Sequence, residues 1–480
     1  MSDTSPAHRH LPVTLVLIAA MMSIITSLGA PLITTVAVKD HVPLSTAEWM
    51  LTVTLLTGAL ATPIMGRLAD SRYQHRVIHA SLLIVIVGLL VAAVSPNFTT
   101  LLIGRSLQGL GLGLVPVCMA IARSHLSPER AGRTIATLSV TVAVGVGLGY
   151  PLTSCIAEFV SFHASFVVAA VLVTTTLLVA IRVLPTNADV AHVPFDLVGA
   201  VSLTIGLTIL LIELGEGQAW GWATPLSLSC AVASVVVLAG WVWFELRTTN
   251  PLVDLRQVRI RNVMAADAAG FVISMAFYLF LPILVEFVTI PPSTGFGFGS
   301  SVLTSGLLLL PLSVGTFIAS RFSPALIKKV GLRAIMPVGI LFFVAGSLGF
   351  VAFHAHLYEA FAVSGLVGLG AGITFAAMPG FIVRSVPAAD TGAALGFYQL
   401  IRNIGLSIGA AVSGLLLAHY TPAHQSIPTL NGFLVNMKLA AALLAVAGVV
   451  AFVLLSPTKT PPTGAVADSG PSLDSGGRKS

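Results

Sequence analysis

Runs of about 20 mostly apolar residues recur along almost the whole chain, and each is long enough to cross a bilayer as a helix. Only 9% of the 480 residues are charged, whereas a soluble domain has about 25%. Strands of a membrane barrel alternate in polarity and span about ten residues, so these runs do not fit a barrel. The sequence predicts an all-α polytopic membrane protein.

The runs divide into fourteen predicted spans, an even number that places both termini on one side. Only Lys39 and Lys438 fall in the predicted outer loops, and Arg105 and Arg402 fall within spans. The other Lys and Arg residues lie in the inner loops and termini, as the positive-inside rule requires for cytoplasmic termini. We expect a multi-pass protein of the plasma or inner membrane.

The chain repeats itself across the eight spans that separate two glycine patterns. Gly109, Gly111 and Gly113 before Pro128 recur as Gly368, Gly370 and Gly372 before Pro387. Gly145 and Gly149 recur as Gly405 and Gly409 at the same offset to within one residue. Two such halves are typical of transporters. The predicted units are a six-helix bundle (1–185), two inserted helices with linkers (186–260), a second six-helix bundle (261–456) and a disordered cytoplasmic tail (457–480).

A short basic loop follows the second span and contains Gly66, Asp70, Arg72 and Arg76. Glycine permits a tight turn, and an Asp among cations can bond to a neighbouring helix end. We interpret the loop as a cytoplasmic gate, with Asp70 as a conformational latch. The alternative is an ordinary positive-inside loop.

Two arginines lie inside predicted spans, where an arginine costs about 2.5–3.5 kcal/mol on insertion scales. Such a residue should face a partner or a wet cavity. Arg105 is followed by Gln108 and by Gly109 and Gly113, which allow close helix packing. Snorkelling to the outer interface remains the alternative.

Arg402 is placed similarly in the second half. It shares a predicted helix face with Gln399, Gly405 and Gly409. We predict that Arg105 and Arg402, together with Gln108, Tyr278 and Gln399, line a translocation path.

Gly145, Gly149 and Pro151 lie in the fifth predicted span. Read alone, they predict small-residue helix packing followed by a proline kink.

These motifs resemble those of the major facilitator superfamily, and the inserted pair resembles its fourteen-helix drug:proton antiporter branch. The basic loop has Tyr73 where the family has a second Gly, and Tyr150 replaces the Gly before Pro151 in the exporter motif. Met22 stands where the branch usually carries a first-helix acid, which argues against cationic drugs. The resemblance implies two six-helix bundles around a cavity that opens alternately to each side. It also implies export of small, largely apolar compounds in exchange for protons.

Proton coupling needs a group that exchanges a proton during the cycle, and few acids lie within the spans. Asp267 lies five residues inside the predicted ninth span, on a polar stripe that ends at Tyr278. Glu286 lies near the outer end of the same span and is the second candidate. Alternatively, Asp267 is a carboxylate satisfied by Asn262 or Arg261 at the inner surface.

Several other classes of function find little support in the sequence. The basic residues are spread over many loops, so the net charge of +6 does not indicate nucleic-acid binding. The three cysteines lie inside apolar runs and predict neither a disulfide framework nor a metal site. The sequence contains no phosphate-binding loop that would indicate ATP use, and no enzyme motif or cofactor site.

We expect a monomer whose partners are a small-molecule substrate, protons and the bilayer. A transporter of one metabolite or lipid, or a membrane-embedded receptor, remains an alternative.

Overall fold

The structure is a computed structural model, and nearly all of the residues that it describes are helical. The described residues are 6–29, 32, 35–36, 39–42, 44–47, 49–69, 74–185, 196–387, 390–422 and 427–454. Asp70, Arg72, most of the loop 184–196 and the predicted tail 457–480 lie outside them.

The described part of the chain contains fourteen long helices, α1 to α14. They are α1 Pro6–Ser27, α2 Trp49–Ala69, α3 Gln74–Ala93, α4 Phe98–His125, α5 Pro128–Phe159, α6 Phe162–Val183, α7 Leu197–Trp220, α8 Pro225–Glu245, α9 Arg261–Thr289, α10 Leu309–Val330, α11 Leu332–Ala352, α12 Leu357–Ser385, α13 Thr391–His419 and α14 Leu430–Leu454. Short helices at Leu44–Ala47, Leu255–Val258 and Val302–Leu307 lie between them.

Thirteen of these helices are long and apolar enough to cross a membrane. Helix α5 is bent into two segments, and it is the fourteenth candidate if the two segments together count as one span. The segments Pro128–Val142 and Gly147–Ala157 meet at 42°. Pro151 follows the bend, and proline removes a helical hydrogen bond and crowds the carbonyl four residues earlier. The predicted all-α membrane fold is confirmed, with thirteen or fourteen candidate spans.

Helix ends coincide with capping residues in the sequence. The side chain of Asn97 accepts a hydrogen bond from Thr100 N at the start of α4, and Asp196 accepts one from Gly199 N at the start of α7. Gly331, with a φ of 83°, is the single residue between α10 and α11. This left-handed conformation favours glycine, which permits the abrupt reversal.

The repeated glycines make equivalent contacts in the two halves. Gly109 of α4 packs on α2, and Gly368 of α12 packs on α10. Gly149 of α5 packs on Ser27 of α1, and Gly409 of α13 packs on Met275 O of α9. Helices α1, α2, α4 and α5 therefore correspond to α9, α10, α12 and α13.

The inserted helices α7 and α8 pack on each other, and α7 also packs on α2 and α13. A small apolar cluster joins them to the main bundle through Trp241, Leu252, Val253 and Leu400. The carboxylate of Glu245, at the end of α8, accepts a hydrogen bond from Val253 N at 2.6 Å. This bond fixes the linker that leads from α8 to α9.

Candidate functional site: buried polar groups and an inter-half contact

Arg402 of α13 is the centre of a polar cluster in the second half. Its guanidinium donates to Ser274 Oγ of α9 and to Gln399 Oε1, both at 3.3 Å. The same group lies 4.3 Å from the ring centroid of Phe375 and 5.6 Å from that of Tyr398. These contacts are to neutral groups, and Arg402 forms no ion pair with a described carboxylate. The site thus carries a positive charge among aromatic and polar neighbours.

Asp267 of α9 lies near this cluster and is buried, with an exposed fraction of 6%. Neither of its carboxylate oxygens has a hydrogen-bond partner among the described residues. Arg261 donates instead to Val453 O, so it does not satisfy Asp267. Tyr398 packs over Gly270, one turn along α9 from Asp267, and its ring centroid lies 5.6 Å from the Arg402 guanidinium. A carboxyl that is buried without a partner is costly when ionised.

The two other predicted residues of α9 differ in their surroundings. Tyr278 is half-buried and lines a cavity with Asn403 of α13. The amide of Asn403 accepts a hydrogen bond from Gln399 Nε2 at 3.3 Å, which connects it to the Arg402 cluster. Glu286 is exposed near the far end of the helix.

Arg105 of α4 is fully buried in the first half. Its guanidinium donates to Ile25 O of α1 and Met50 O of α2, both at 3.2 Å, and to Gln108 Oε1 at 2.7 Å. Gln108 in turn donates to Gly88 O of α3 at 3.1 Å. One arginine–glutamine pair therefore satisfies backbone carbonyls on three neighbouring helices.

The glycines after Arg105 do not continue a regular α-helix. Residues Leu110–Gly113 form a 3-10 turn between the two α-helical parts of α4, so the expected four-residue spacing of Arg105, Gly109 and Gly113 is distorted. Gly109 still contacts Thr57 of α2, and Gly113 contacts Met65 of the same helix.

Arg105 and Arg402 lie on helices that are not equivalent in the repeat. Helix α4, which carries Arg105, corresponds to α12, whereas α13, which carries Arg402, corresponds to α5.

Polar contacts join the two halves at the basic end of the bundle, which we define as the end where α2 ends and α13 begins. Arg67 Nη1 of α2 lies 3.8 Å from Asp390 Oδ1. Gln257, from the short helix between α8 and α9, donates to Asp390 Oδ2 at 2.8 Å. Arg123 at the end of α4 donates to Thr391 Oγ1 at 2.6 Å and to Val386 O at 2.9 Å. Asp390 is thus bonded both to the first half and to the inserted segment.

Gly66 allows α2 and α13 to contact each other directly at the basic end. A Cβ on Gly66 would lie 2.6 Å from Gly392 O and 3.2 Å from the Cα of Gly396. Arg76 is exposed at the start of α3, while Asp70 and Arg72 of the predicted gate lie outside the described residues. The role of Asp70 as a latch stays a prediction.

In the described part of the first half, the predicted packing residues of α5 contact α1. Gly145 packs on Ser23 and Gly149 on Ser27. In the second half Gly405 packs on Phe271 O of α9, and Gly409 lies against Met275 O. These contacts hold the first and fifth helices of each half together.

Sequence reasoning missed four residues of these sites. Asp390, Arg123 and Gln257 meet only across the fold, and their local sequences give no sign of one another. Tyr398 could have been found, because it lies four residues before Arg402 on the same helix face.

Two similar bundles, one with a buried and the other with a partly buried arginine inside a helix, are typical of a membrane transporter built from structural repeats. The family model described as Major Facilitator Superfamily matches residues 15–354 and 266–475. The chain belongs to this superfamily.

Relatives of known name agree with this class. The Multidrug resistance protein B homolog of Mycobacterium tuberculosis (strain CDC 1551 / Oshkosh) is 28% identical over 391 residues, which cover 79% of this chain and 71% of that protein. The Tetracenomycin C resistance and export protein of Streptomyces glaucescens is 28% identical over 415 residues, which cover 84% and 74%. The human organic anion transporter MFSD10 (TETRAN) superposes with a TM-score of 0.66 at 15% identity, over 93% of this chain and all of that one. This last similarity concerns the fold alone.

Proposed function

We propose that this transporter exports small, largely apolar compounds in exchange for protons and works as a monomer. The observation that carries the proposal is Asp267, a buried carboxyl without a hydrogen-bond partner among the described residues. Two relatives named for drug resistance or export support the direction of transport.

The proposed coupling depends on hydration of the Asp267 site. A dry site favours the neutral acid, because an isolated carboxylate loses its hydration without compensation. When the site opens to water, the carboxylate can be hydrated, so the proton can leave. Alternate opening to the two sides then links proton movement to substrate movement.

The test uses the purified full chain in liposomes under an imposed pH gradient, with a panel of neutral, anionic and cationic dyes. We expect Asp267→Asn to abolish accumulation of a transported dye against its gradient, because the amide cannot release a proton. Downhill counterflow of the same dye should persist. The control is Glu129→Gln, an exposed acid at the start of α5, which should retain pH-driven transport.

Two results would contradict the proposal. If Asp267→Asn still concentrates the dye with an unchanged pH profile, the coupling group lies elsewhere and Glu286 becomes the candidate. If no transported dye responds to the pH gradient, the chain is not proton-coupled.

A further inference from the structure

Helices α2 and α13 form a seam between the halves, and their contact changes along it. At the basic end they touch closely, since a Cβ on Gly66 would lie 2.6 Å from Gly392 O. Further from that end, a cavity of about 120 Å³ lies between them, lined from Thr52 to Ala59 on α2 and from Asn403 to Ala410 on α13.

The inserted helix α7 forms another wall of this cavity through Leu211, Leu214 and Gly215. A second seam, between α5 and α10, is packed directly at Gly147. A Cβ there would lie 2.9 Å from Leu309 O. One seam is therefore closed by contact between the halves, and the other contains a cavity bordered by the inserted pair.

The lining of the cavity is amphipathic. Its apolar part consists of leucines from three helices, namely Leu55, Leu56, Leu211, Leu214 and Leu406. Its polar part consists of Thr52, Tyr278, Asn403 and Ser407. No carboxylate is among the described residues that line it, and Asn403 is linked through Gln399 to the Arg402 guanidinium. This electrostatic setting disfavours a cation and suits an uncharged or anionic group.

We propose that the seam cavity binds the apolar chain or ring of an amphipathic molecule, whose uncharged or anionic head lies toward Asn403 and Tyr278. Pockets for drug-sized ligands have volumes of about 300–1,000 Å³, so this cavity holds part of such a molecule. Such a site would define the substrate class of the proposed exporter. Export of the bound molecule rests on the proposed function, whereas its binding does not.

Gly215 provides a direct way to fill the cavity. Among the described residues, a Cβ at this position would meet Thr52 Cγ2 alone, at 3.8 Å, so Gly215→Phe projects its ring into the space between α7 and α2. Gly240→Phe on α8 is the matched control, because Gly240 is a helical glycine of the inserted pair with nothing within 4 Å of its Cβ position. Ala410→Phe fills the same cavity from α13 if Gly215→Phe does not fold.

The experiment uses the full chain in phosphatidylcholine nanodiscs without any ion gradient. The probe is dodecanoic acid with a terminal diazirine, and the matched probes carry an alcohol or a trimethylammonium head. Peptide mass spectrometry after illumination locates the labelled residues. We expect the acid and the alcohol to label lining residues of α2, α7 or α13, and the trimethylammonium probe to label them much less.

Gly215→Phe should lower this labelling about ten-fold, since overpacking a filled site is costly, and Gly240→Phe should leave it unchanged. Unchanged labelling in a folded cavity-filling variant would overturn the site. Equal labelling by the trimethylammonium probe would overturn the assigned head group. Because labelling needs no gradient, it remains informative even if proton-coupled export fails its own test.

Discussion

At the scale of single residues, the two arginines inside helices make different kinds of contact. Nε and Nη1 of Arg105 donate to carbonyls of two other helices and to Gln108, whereas Arg402 bonds to side chains and lies over aromatic rings. Arg105 is fully buried, while Arg402 is partly exposed. The contacts of Arg105 therefore hold neighbouring helices together, whereas the guanidinium of Arg402 remains accessible to a ligand.

We expect Arg105→Ala to destabilise the fold more than Arg402→Ala does. Truncating Arg105 leaves buried acceptors on α1 and α2 unpaired, at about 1–3 kcal/mol each. Thermal denaturation of the purified variants in detergent measures the difference, with exposed Arg182→Ala as the control. Equal midpoints for Arg105→Ala and Arg182→Ala would refute the structural role. The prediction that Arg105 also lines the translocation path is tested separately, by transport assays of variants that remain folded.

At the scale of helices, small residues decide which pairs can approach. Gly66 allows α2 to touch α13 at the basic end, where Arg67 and Gln257 also reach Asp390. Because Gln257 belongs to the linker after α8, the inserted pair is attached to the same contact. Opening of this end must break all of these interactions together.

We predict that Gly66→Val opens the basic end, because a side chain there overlaps Gly392 O. The measurement is the electron–electron distance between spin labels at Arg76→Cys and Arg384→Cys, two exposed positions on α3 and α12. The distance distribution should shift to longer values. Gly132→Val is the control, since Gly132 has no neighbour within 4 Å of its Cβ position. An unshifted distribution in Gly66→Val would show that this contact does not control the opening.

At the scale of the whole molecule, the two halves are related by the repeat and the inserted pair breaks their symmetry. Helix α7 lies along the seam between α2 and α13, and the corresponding seam between α5 and α10 is packed directly. The inserted pair therefore contributes to the inter-half structure at both the cavity and the basic end.

The positive-inside pattern predicts that both termini are cytoplasmic. Single cysteines are placed in a background that lacks Cys155 and Cys230, and intact cells are treated with a membrane-impermeant maleimide. A cysteine at Ser293 should react at once, whereas cysteines in 184–196 and in 457–480 should react only after permeabilisation. Immediate labelling of the tail would mean an odd number of spans and would contradict the six-two-six arrangement.

Much of the fold could be predicted from sequence, because its causes are local or periodic. Apolar runs of sufficient length define the spans, and glycines at a constant offset identify the equivalent helices. The same local signals selected Asp267, Gln399 and Arg402, which the structure brings to neighbouring positions on α9 and α13. The 3-10 turn at Leu110–Gly113 was not predicted, since it depends on how α4 packs against α2.

The sequence by itself determined that this chain crosses the membrane many times as two related halves, since burying backbone groups in lipid requires helices of that length. Only the tertiary structure decided that Asp390 meets Arg67 and Gln257, and that a cavity separates α2 from α13 beside α7. Those arrangements depend on crossing angles and close approaches between helices distant in the chain. No spacing along one helix encodes the distance to a side chain on another.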